Sequence, residues 1–294
     1  MIVKVYQGLL ETKKLKEDLS AVPQNDAERL QKALPFPGTL HQGRFRRNDF
    51  TYGVALFQRG YLDQAAASFK QVVAAKPTDP EAYYNLGTLY LRKNSLRDAR
   101  IYLEQTVKLR PEYPEAWNNL AMVAAQDGRQ DEAIRDFKRS LSIRPDYVTA
   151  LLNLGNLYRR QGISDDAEQL FRRALELEPE NPESNYSLGM LFARQENFSD
   201  ARELLQKAVR LRPNYPEALN NLGILLTRQN RTSEAEEKFK ACIAVAPNYD
   251  QAYLNLARVY MLRQEKEKAR EILLALLKLQ PQHKLAQQAL EMLN

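Results

Sequence analysis

Apolar and polar positions recur along this chain with a period of 34 residues. From residue 46 to residue 283, seven consecutive 34-residue segments share one apolar skeleton. Within each segment, apolar residues recur at spacings of three and four, which predicts amphipathic helices. The eighth position is always glycine or alanine, and the twentieth is always alanine. Because two helices approach closely only where side chains are small, each segment is predicted to be a pair of packed helices.

Helix-stopping and helix-capping residues agree with this period. Asp79 and Asn181 can each cap the start of a first helix, and each is followed by proline. Proline suits the first helical position because no backbone hydrogen-bond donor is needed there. Glycine or asparagine between the two helices predicts a left-handed turn, at Gly60, Asn94, Gly128, Gly162 and Asn230. Proline, which disfavours a helical predecessor, follows every second helix: Pro77, Pro111, Pro145, Pro179, Pro213, Pro247 and Pro281. A fixed period of this length indicates an array of stacked helical repeats.

These residues resemble the tetratricopeptide repeat (TPR) family over about four fifths of the chain. The segment 116–121 followed by 131–134 is close to the family consensus. The resemblance implies an all-α fold, a right-handed α-solenoid (superhelix) of stacked helix-turn-helix repeats whose first helices line a concave groove. The uninterrupted array is similar to those of O-linked N-acetylglucosamine transferases and bacterial multidomain TPR proteins. Pentatricopeptide repeats, which bind RNA, have a period of about 35 residues and fit less well.

The expected organisation has three parts. Residues 1–45 are predicted to form a helical N-terminal cap or a linker, and residues 284–294 a C-terminal capping helix. The seven repeats between them are 46–79, 80–113, 114–147, 148–181, 182–215, 216–249 and 250–283.

Composition narrows the function. The net charge is +6, but the chain has 43 basic and 37 acidic residues, so its charge is nearly balanced and a nucleic-acid partner is not expected. No apolar run is long enough for a membrane span and the start lacks the pattern of a secretion signal, so a cytoplasmic location is expected. The single cysteine, Cys242, stands at the repeat position of Ser140, Ala174 and Ala208 and is predicted to be a packed small residue.

Catalytic motifs are not evident in the sequence. His41 and His283 are far apart and neither belongs to a triad or metal-ligand pattern, and no phosphate-binding glycine loop occurs. We therefore expect no enzyme activity, no cofactor and no metal site in this chain.

Asparagine recurs at the sixth position of the repeat, in the stripe that faces the concave side in the resembled family. A row of amides can bind the backbone of an extended peptide, because each amide offers donors and an acceptor. Alternatively, the asparagines join neighbouring helices. The predicted peptide-binding residues of this row are Asn85, Asn119, Asn153, Asn221 and Asn255.

Two further sets complete the predicted site. Tyr84 and Tyr186 occupy the fifth position of their repeats. Arginine recurs at the thirteenth position, at Arg92, Arg160, Arg194 and Arg228. Guanidinium groups bind carboxylates in a two-pronged geometry, which favours an acidic peptide. Alternatively, the arginines only stabilise the carboxyl ends of their helices.

The function predicted from these features is a protein-interaction scaffold that binds an extended or helical segment of a partner protein in the groove. Lysines needed by TPR proteins that grip chaperone carboxyl termini are missing, so that role is rejected. The alternative is a substrate-recruiting arm of a larger enzyme whose catalytic domain lies outside this chain. A homodimer through exposed repeat ends is a further prediction.

Overall fold

In the part of the chain that the structure describes, helices succeed one another in pairs, and a single short helix follows the last pair. The structure is a computed structural model and describes residues 48–293; the predicted N-terminal cap or linker, 1–45, lies outside them. The helices are α1 (Asn48–Gln58), α2 (Leu62–Ala75), α3 (Pro80–Arg92), α4 (Leu96–Leu109), α5 (Pro114–Gln126), α6 (Gln130–Ile143), α7 (Val148–Gln161), α8 (Ser164–Leu177), α9 (Pro182–Arg194), α10 (Phe198–Leu211), α11 (Pro216–Arg228), α12 (Thr232–Val245), α13 (Asp250–Leu262), α14 (Lys266–Leu279) and α15 (Lys284–Glu291).

The helices fall into two units. The first unit contains α1–α6 and ends at Ile143, and the second begins at Arg144 and contains α7–α15. Within each unit, a first helix packs against its own second helix, and that second helix packs against the next first helix. Such an array buries its core by stacking, as expected for an α-solenoid of helical repeats.

The two helices of a pair meet where the sequence has glycine. A Cβ atom on Gly87 would lie 2.5 Å from Cγ of Leu103, and one on Gly155 would lie 2.5 Å from Cε1 of Phe171. Either contact is too short for a real side chain, so the small eighth position permits this packing. The alanines predicted to lie at this contact are all 0% exposed, which confirms that they belong to the core: Ala65, Ala99, Ala133, Ala167, Ala201, Ala235 and Ala269.

The predicted caps are formed. The Asp79 carboxylate accepts a hydrogen bond from the Glu81 amide at 3.0 Å, at the start of α3. At the start of α9, the Asn181 side chain accepts one from the Ser184 amide at 2.9 Å. Each bond satisfies a donor that the first helical turn leaves unpaired.

The turns between the paired helices adopt the left-handed conformation. All five glycine and asparagine residues predicted for this role have positive φ, from 58° at Asn94 to 83° at Gly60. Glu196 (φ 61°) and Gln264 (φ 63°) adopt the same conformation at the equivalent place, although neither residue type favours it. The backbone of these two turns is therefore set by the packing of the flanking helices rather than by the turn residue.

Cys242 is a packed small residue, as predicted. Its thiol is buried on α12 and donates to the Pro216 carbonyl at 3.3 Å. Ser140 does the same in the first unit, where its hydroxyl donates to the Pro114 carbonyl at 2.7 Å. Burial raises the pKa of Cys242 to about 11, so the thiol is neutral at physiological pH.

Candidate functional site

The predicted site residues all lie on first helices. We use the term first-helix face for the fifth, sixth, ninth, twelfth and thirteenth positions of the first helices within one unit. Of the predicted residues, Tyr84, Asn85, Arg92 and Asn119 belong to the first unit. The second unit holds Asn153, Arg160, Tyr186, Arg194, Asn221, Arg228 and Asn255.

In the first unit, Asn119 closes a buried polar network between α3 and α5. Its amide nitrogen donates to the Thr88 hydroxyl at 3.0 Å and to the Tyr84 hydroxyl at 3.4 Å. Its amide oxygen accepts from Asn118 at 3.2 Å. Asn119 is 8% exposed and Tyr84 is 7% exposed, and burial raises the pKa of Tyr84 to about 12. These side chains join neighbouring repeats, as in the second interpretation of the asparagine row.

Asn85 is also occupied within the first unit. Its amide nitrogen donates to the Glu81 carbonyl one turn earlier at 2.7 Å, and the residue is 4% exposed. Its amide oxygen is enclosed and accepts no hydrogen bond from a described residue. An enclosed acceptor of this kind is unfavourable by about 1–3 kcal/mol, and the protein surface does not present it to a ligand.

A second tyrosine, Tyr113, supports this network from the end of its repeat. Its ring stacks on Tyr84 with centroids 4.8 Å apart, and its hydroxyl donates to Oε2 of Glu81 at 2.6 Å. The Arg110 guanidinium pairs with Oε1 of Glu81 at 2.6 Å and lies over the Tyr113 ring. Burial, together with the bond to Glu81, raises the pKa of Tyr113 far above its usual range.

The sequence contains a signal for this arrangement that the sequence analysis missed. Arg-Pro-x-Tyr ends three repeats, at 110–113, 144–147 and 212–215. In each, the guanidinium lies over the tyrosine ring, at 5.0–5.1 Å from the centroid. In the fifth repeat, Arg212 also pairs with Glu183 at 2.5 Å, as Arg110 does with Glu81.

In the second unit, Asn221 and Asn255 use their amide donors and leave their amide oxygens unused. Asn221 donates to the Tyr186 hydroxyl at 3.0 Å and to the Glu217 carbonyl at 2.8 Å. Asn255 donates to the Asn220 amide oxygen at 3.0 Å. Within residues 48–293, no group donates to the amide oxygens of Asn221 and Asn255, and both residues are only half-buried. Asn153, on α7, is half-buried as well.

Two of the predicted arginines bind the ends of neighbouring helices. Arg92 donates to the Phe57 carbonyl at 3.1 Å, and its guanidinium lies over the Phe57 ring. Arg194 donates to the Arg159 carbonyl at 2.6 Å. In both cases the carbonyl belongs to the last turn of the preceding first helix, where a cation is favoured by the helix dipole. The other two members of the row, Arg160 and Arg228, are exposed.

Arg159, the residue before Arg160 on α7, is not one of the predicted site residues, but its surroundings are unusual for an arginine. Its Nε and Nη2 donate to the Asn156 amide oxygen at 3.4 and 3.3 Å. The Asn156 amide nitrogen in turn donates to the Ser187 hydroxyl at 3.5 Å. Burial lowers the pKa of Arg159. The nearby Arg160 and Arg194 lower the pKa further, and Tyr186 raises it.

His283 has a carboxylate neighbour that the sequence analysis did not foresee. Its Nδ1 accepts from the Ala286 amide at 3.2 Å, which caps α15, and its Nε2 lies 3.1 Å from Oδ2 of Asp250. Because Nδ1 is the acceptor, Nε2 carries the proton and donates to Asp250. His41 lies outside the described residues.

Metal and membrane sites can be assessed for the described residues only. Residues 48–293 contain no group of three or more His, Cys, Asp or Glu side chains placed to hold a metal ion. Among the same residues, no helix has the length and apolarity needed to cross a membrane.

The paired helices and the polar bonds between successive first helices define a helical-repeat protein, and comparison with known families specifies which kind. A family model described as the C-terminal domain of cilia and flagella-associated protein 70 matches residues 51–215, more than half of the chain. Two tetratricopeptide repeat models match residues 186–250 and 226–293. The chain belongs to the tetratricopeptide repeat family. A comparison with curated proteins gave no match.

Solved structures with the same fold include three repeat proteins. A chain of the APC/C hetero-tetramer Cut9–Hcn1 has a TM-score of 0.71 and 18% identity over 90% of this chain, which spans 51% of that chain. PilF of Pseudomonas aeruginosa has a TM-score of 0.63 and 21% identity over 71% of this chain and 95% of that chain. A tetratricopeptide repeat protein of Parabacteroides merdae has a TM-score of 0.64 and 17% identity over 85% of this chain and 99% of that chain. At these identities the likeness shows a shared fold.

Proposed function

We propose that the chain is a protein-interaction scaffold that binds an extended segment of a partner protein on the first-helix face of the second unit. Membership of the tetratricopeptide repeat family supports a role in protein interaction. The segment would contact Asn221 and Asn255 through its backbone and Tyr186 through its side chains. We also propose that the repeat array begins at residue 46 and that residues 46–283 form seven repeats.

The observation that carries the proposal is the pair of unused amide oxygens in the second unit. The Asn221 amide nitrogen donates to Tyr186 and to a helix carbonyl, and that of Asn255 donates to Asn220. The amide oxygens of both residues accept no hydrogen bond from residues 48–293. An extended peptide has backbone N–H groups in need of acceptors. Two half-buried acceptors on successive first helices therefore match the backbone of a bound segment.

The first unit is a weaker candidate for the same role. The amide of Asn119 is filled on both sides, and the oxygen of Asn85 is enclosed. A peptide that used these groups would first have to break bonds that join the repeats. Binding there would cost the protein its own buried hydrogen bonds, each with a net contribution of about 0.5–1.5 kcal/mol.

The proposal can be tested with a displayed library of random peptides. Peptides selected on the wild-type chain are labelled, and their affinities are measured by fluorescence anisotropy for the double variant Asn221→Ala, Asn255→Ala. We expect a loss of about tenfold or more, which corresponds to the loss of one or two hydrogen bonds.

The matched control is the double variant Asn214→Ala, Asn248→Ala. These two asparagines are exposed in the turns that follow second helices, so the control removes the same chemistry outside the face. Circular dichroism confirms that both variants are folded. If the selected peptides bind both double variants equally well, the first-helix face of the second unit is not the binding site and the proposal is wrong.

A further inference from the structure

Three arginines of the second unit lie together where α7 and α9 end. Arg159 and Arg160 are in the last turn of α7, and Arg194 is the last residue of α9. Arg194 reaches across to the Arg159 carbonyl at 2.6 Å, so the three side chains share one patch. We call Arg159, Arg160 and Arg194 the arginine cluster.

The arginine cluster lacks the carboxylate partners that several other arginines of the described residues have. Arg110 pairs with Glu81, Arg212 with Glu183, and Arg231 with Glu234. Within the described residues, no carboxylate pairs with a guanidinium of the cluster, and the neighbouring cations that act on Arg159 are Arg160 and Arg194. Three like charges are thus held close together with no acidic side chain of residues 48–293 paired with them.

Donor groups also remain available. A guanidinium has five N–H groups. Arg159 uses two of them on the Asn156 amide oxygen, and Arg194 uses one on the Arg159 carbonyl. Arg160 is exposed. The cluster therefore offers several N–H donors in the planar, forked arrangement that suits carboxylates.

Burial makes a counter-ion more valuable at Arg159 than at an exposed arginine. The residue is half-buried, and burial lowers its pKa, although a guanidinium remains charged at neutral pH. A half-buried cation beside two like charges is unfavourable until an anion pairs with it. The rest of the first-helix face continues from the cluster through Tyr186 and Asn221, which lie on α9 and α11.

We infer that the segment bound by the second unit is an acidic stretch of a partner protein, whose carboxylates bind the arginine cluster while its backbone binds Asn221 and Asn255. This inference rests on the proposed function and names the chemistry of its ligand. A nucleic acid is less suitable because it needs a long run of phosphate contacts, whereas this patch consists of three side chains in a chain whose 43 basic and 37 acidic residues are nearly balanced.

The test uses two labelled peptides of identical length, one in which glutamate alternates with alanine and one in which glutamine replaces every glutamate. Affinities are measured by fluorescence anisotropy at low ionic strength on the full chain. We expect the glutamate peptide to bind at least about tenfold more tightly, and the double variant Arg159→Gln, Arg194→Gln to remove that preference.

Arg92→Gln is the matched control. Arg92 occupies in the first unit the repeat position that Arg194 has in the second, and like Arg194 it donates to a helix-end carbonyl. It should change the affinity less than about twofold. Equal binding of the two peptides, or an unchanged preference in the cluster variant, overturns the inference. Displacement of the glutamate peptide by polyuridylate with a steeper salt dependence overturns it in favour of nucleic acid.

These outcomes are separate from those for the proposed function. If library-selected peptides depend on Asn221 and Asn255 but glutamate has no advantage, the scaffold function stands and only the acidic preference is wrong. If the selected peptides depend on neither set of residues, the proposed function fails as well.

Discussion

The first-helix faces of the two units carry similar residues but use them differently. In the first unit, Tyr84 and Asn119 form a buried network in which the Asn119 amide is filled on both sides. In the second unit, Tyr186 and Asn221 form the same bond, at 3.0 Å, but both residues are half-buried and the amide oxygen stays unused. One residue pattern therefore joins repeats in both units, but the sixth-position amide oxygen that it leaves unused and partly exposed is in the second unit. The position of an asparagine in the repeat is not enough to assign it a binding role.

We expect the hydrophobic cores of the two units to respond equally to the truncation of a buried side chain. Such truncations should have the largest effect of those considered. Phe69 and Phe171 are both fully buried and both pack on the glycine of their pair. We expect Phe69→Ala and Phe171→Ala each to lower the free energy of unfolding by about 3–5 kcal/mol, because both leave a cavity. Urea titrations followed by circular dichroism measure the two values.

Leucine is the natural control for both substitutions, since Leu103, Leu205 and Leu273 occupy the same repeat position. Phe69→Leu and Phe171→Leu should restore most of the lost stability. If the two alanine substitutions differ by more than about 2 kcal/mol in the unfolding free energy they remove, the units differ in their cores as well as in their first-helix faces.

The next largest effect concerns one carboxylate in each unit, whose pH responses should be opposite. In the second unit, burial alone would raise the pKa of Glu236, but hydrogen bonds from Lys240, Tyr260 and Arg263 outweigh it and lower the pKa from 4.5 to about 2. The folded state binds fewer protons than the unfolded state there, so the stabilisation is present above the unfolded pKa and is lost as the pH falls toward 2. Glu236→Gln should cost roughly 1.5–3 kcal/mol near pH 7 and less near pH 3.

In the first unit, burial raises the pKa of Asp136 from 3.8 to about 6, with a further contribution from Glu132. The contribution of this residue to stability is complete below the unfolded pKa and is lost as the pH rises through about 6. Asp136→Asn should therefore stabilise the protein by roughly 1 kcal/mol near pH 7 and have little effect near pH 4. Thermal unfolding over this pH range measures both variants, and pH profiles of the same sign would contradict the assignment.

The smallest effect separates two tyrosines at the same repeat position. Tyr113 donates to the Glu81 carboxylate at 2.6 Å, whereas the Tyr215 hydroxyl forms no hydrogen bond within the described residues. Tyr113→Phe should cost roughly 1–2 kcal/mol, and Tyr215→Phe less than about 0.5 kcal/mol. Both variants keep the ring and its contact with arginine, so the difference in unfolding free energy reports the hydroxyl alone. Equal costs would mean that the Glu81 bond contributes nothing.

Most of the fold could be predicted from the sequence because the signals that determine it are local. Apolar spacing, the caps at Asp79 and Asn181 and the glycines of the turns act within a few residues, and each is found where the sequence places it. The roles of the site residues depend on groups about one repeat away. Asn119 bonds to Tyr84 and Arg194 to the Arg159 carbonyl, each across 35 positions. A pattern that repeats every 34 residues cannot distinguish a filled amide from an unfilled one.

The turns at Glu196 and Gln264 have a consequence for how such a chain changes over time. Both hold a left-handed backbone without glycine or asparagine, at a strain on the order of 1–2 kcal/mol for each residue. Since the packing of the flanking helices holds each turn, the array tolerates the absence of glycine or asparagine there. A search of this sequence for repeats by their turn residues alone would miss the fifth and seventh repeats. A repeat can therefore keep its fold when its turn residue is neither glycine nor asparagine.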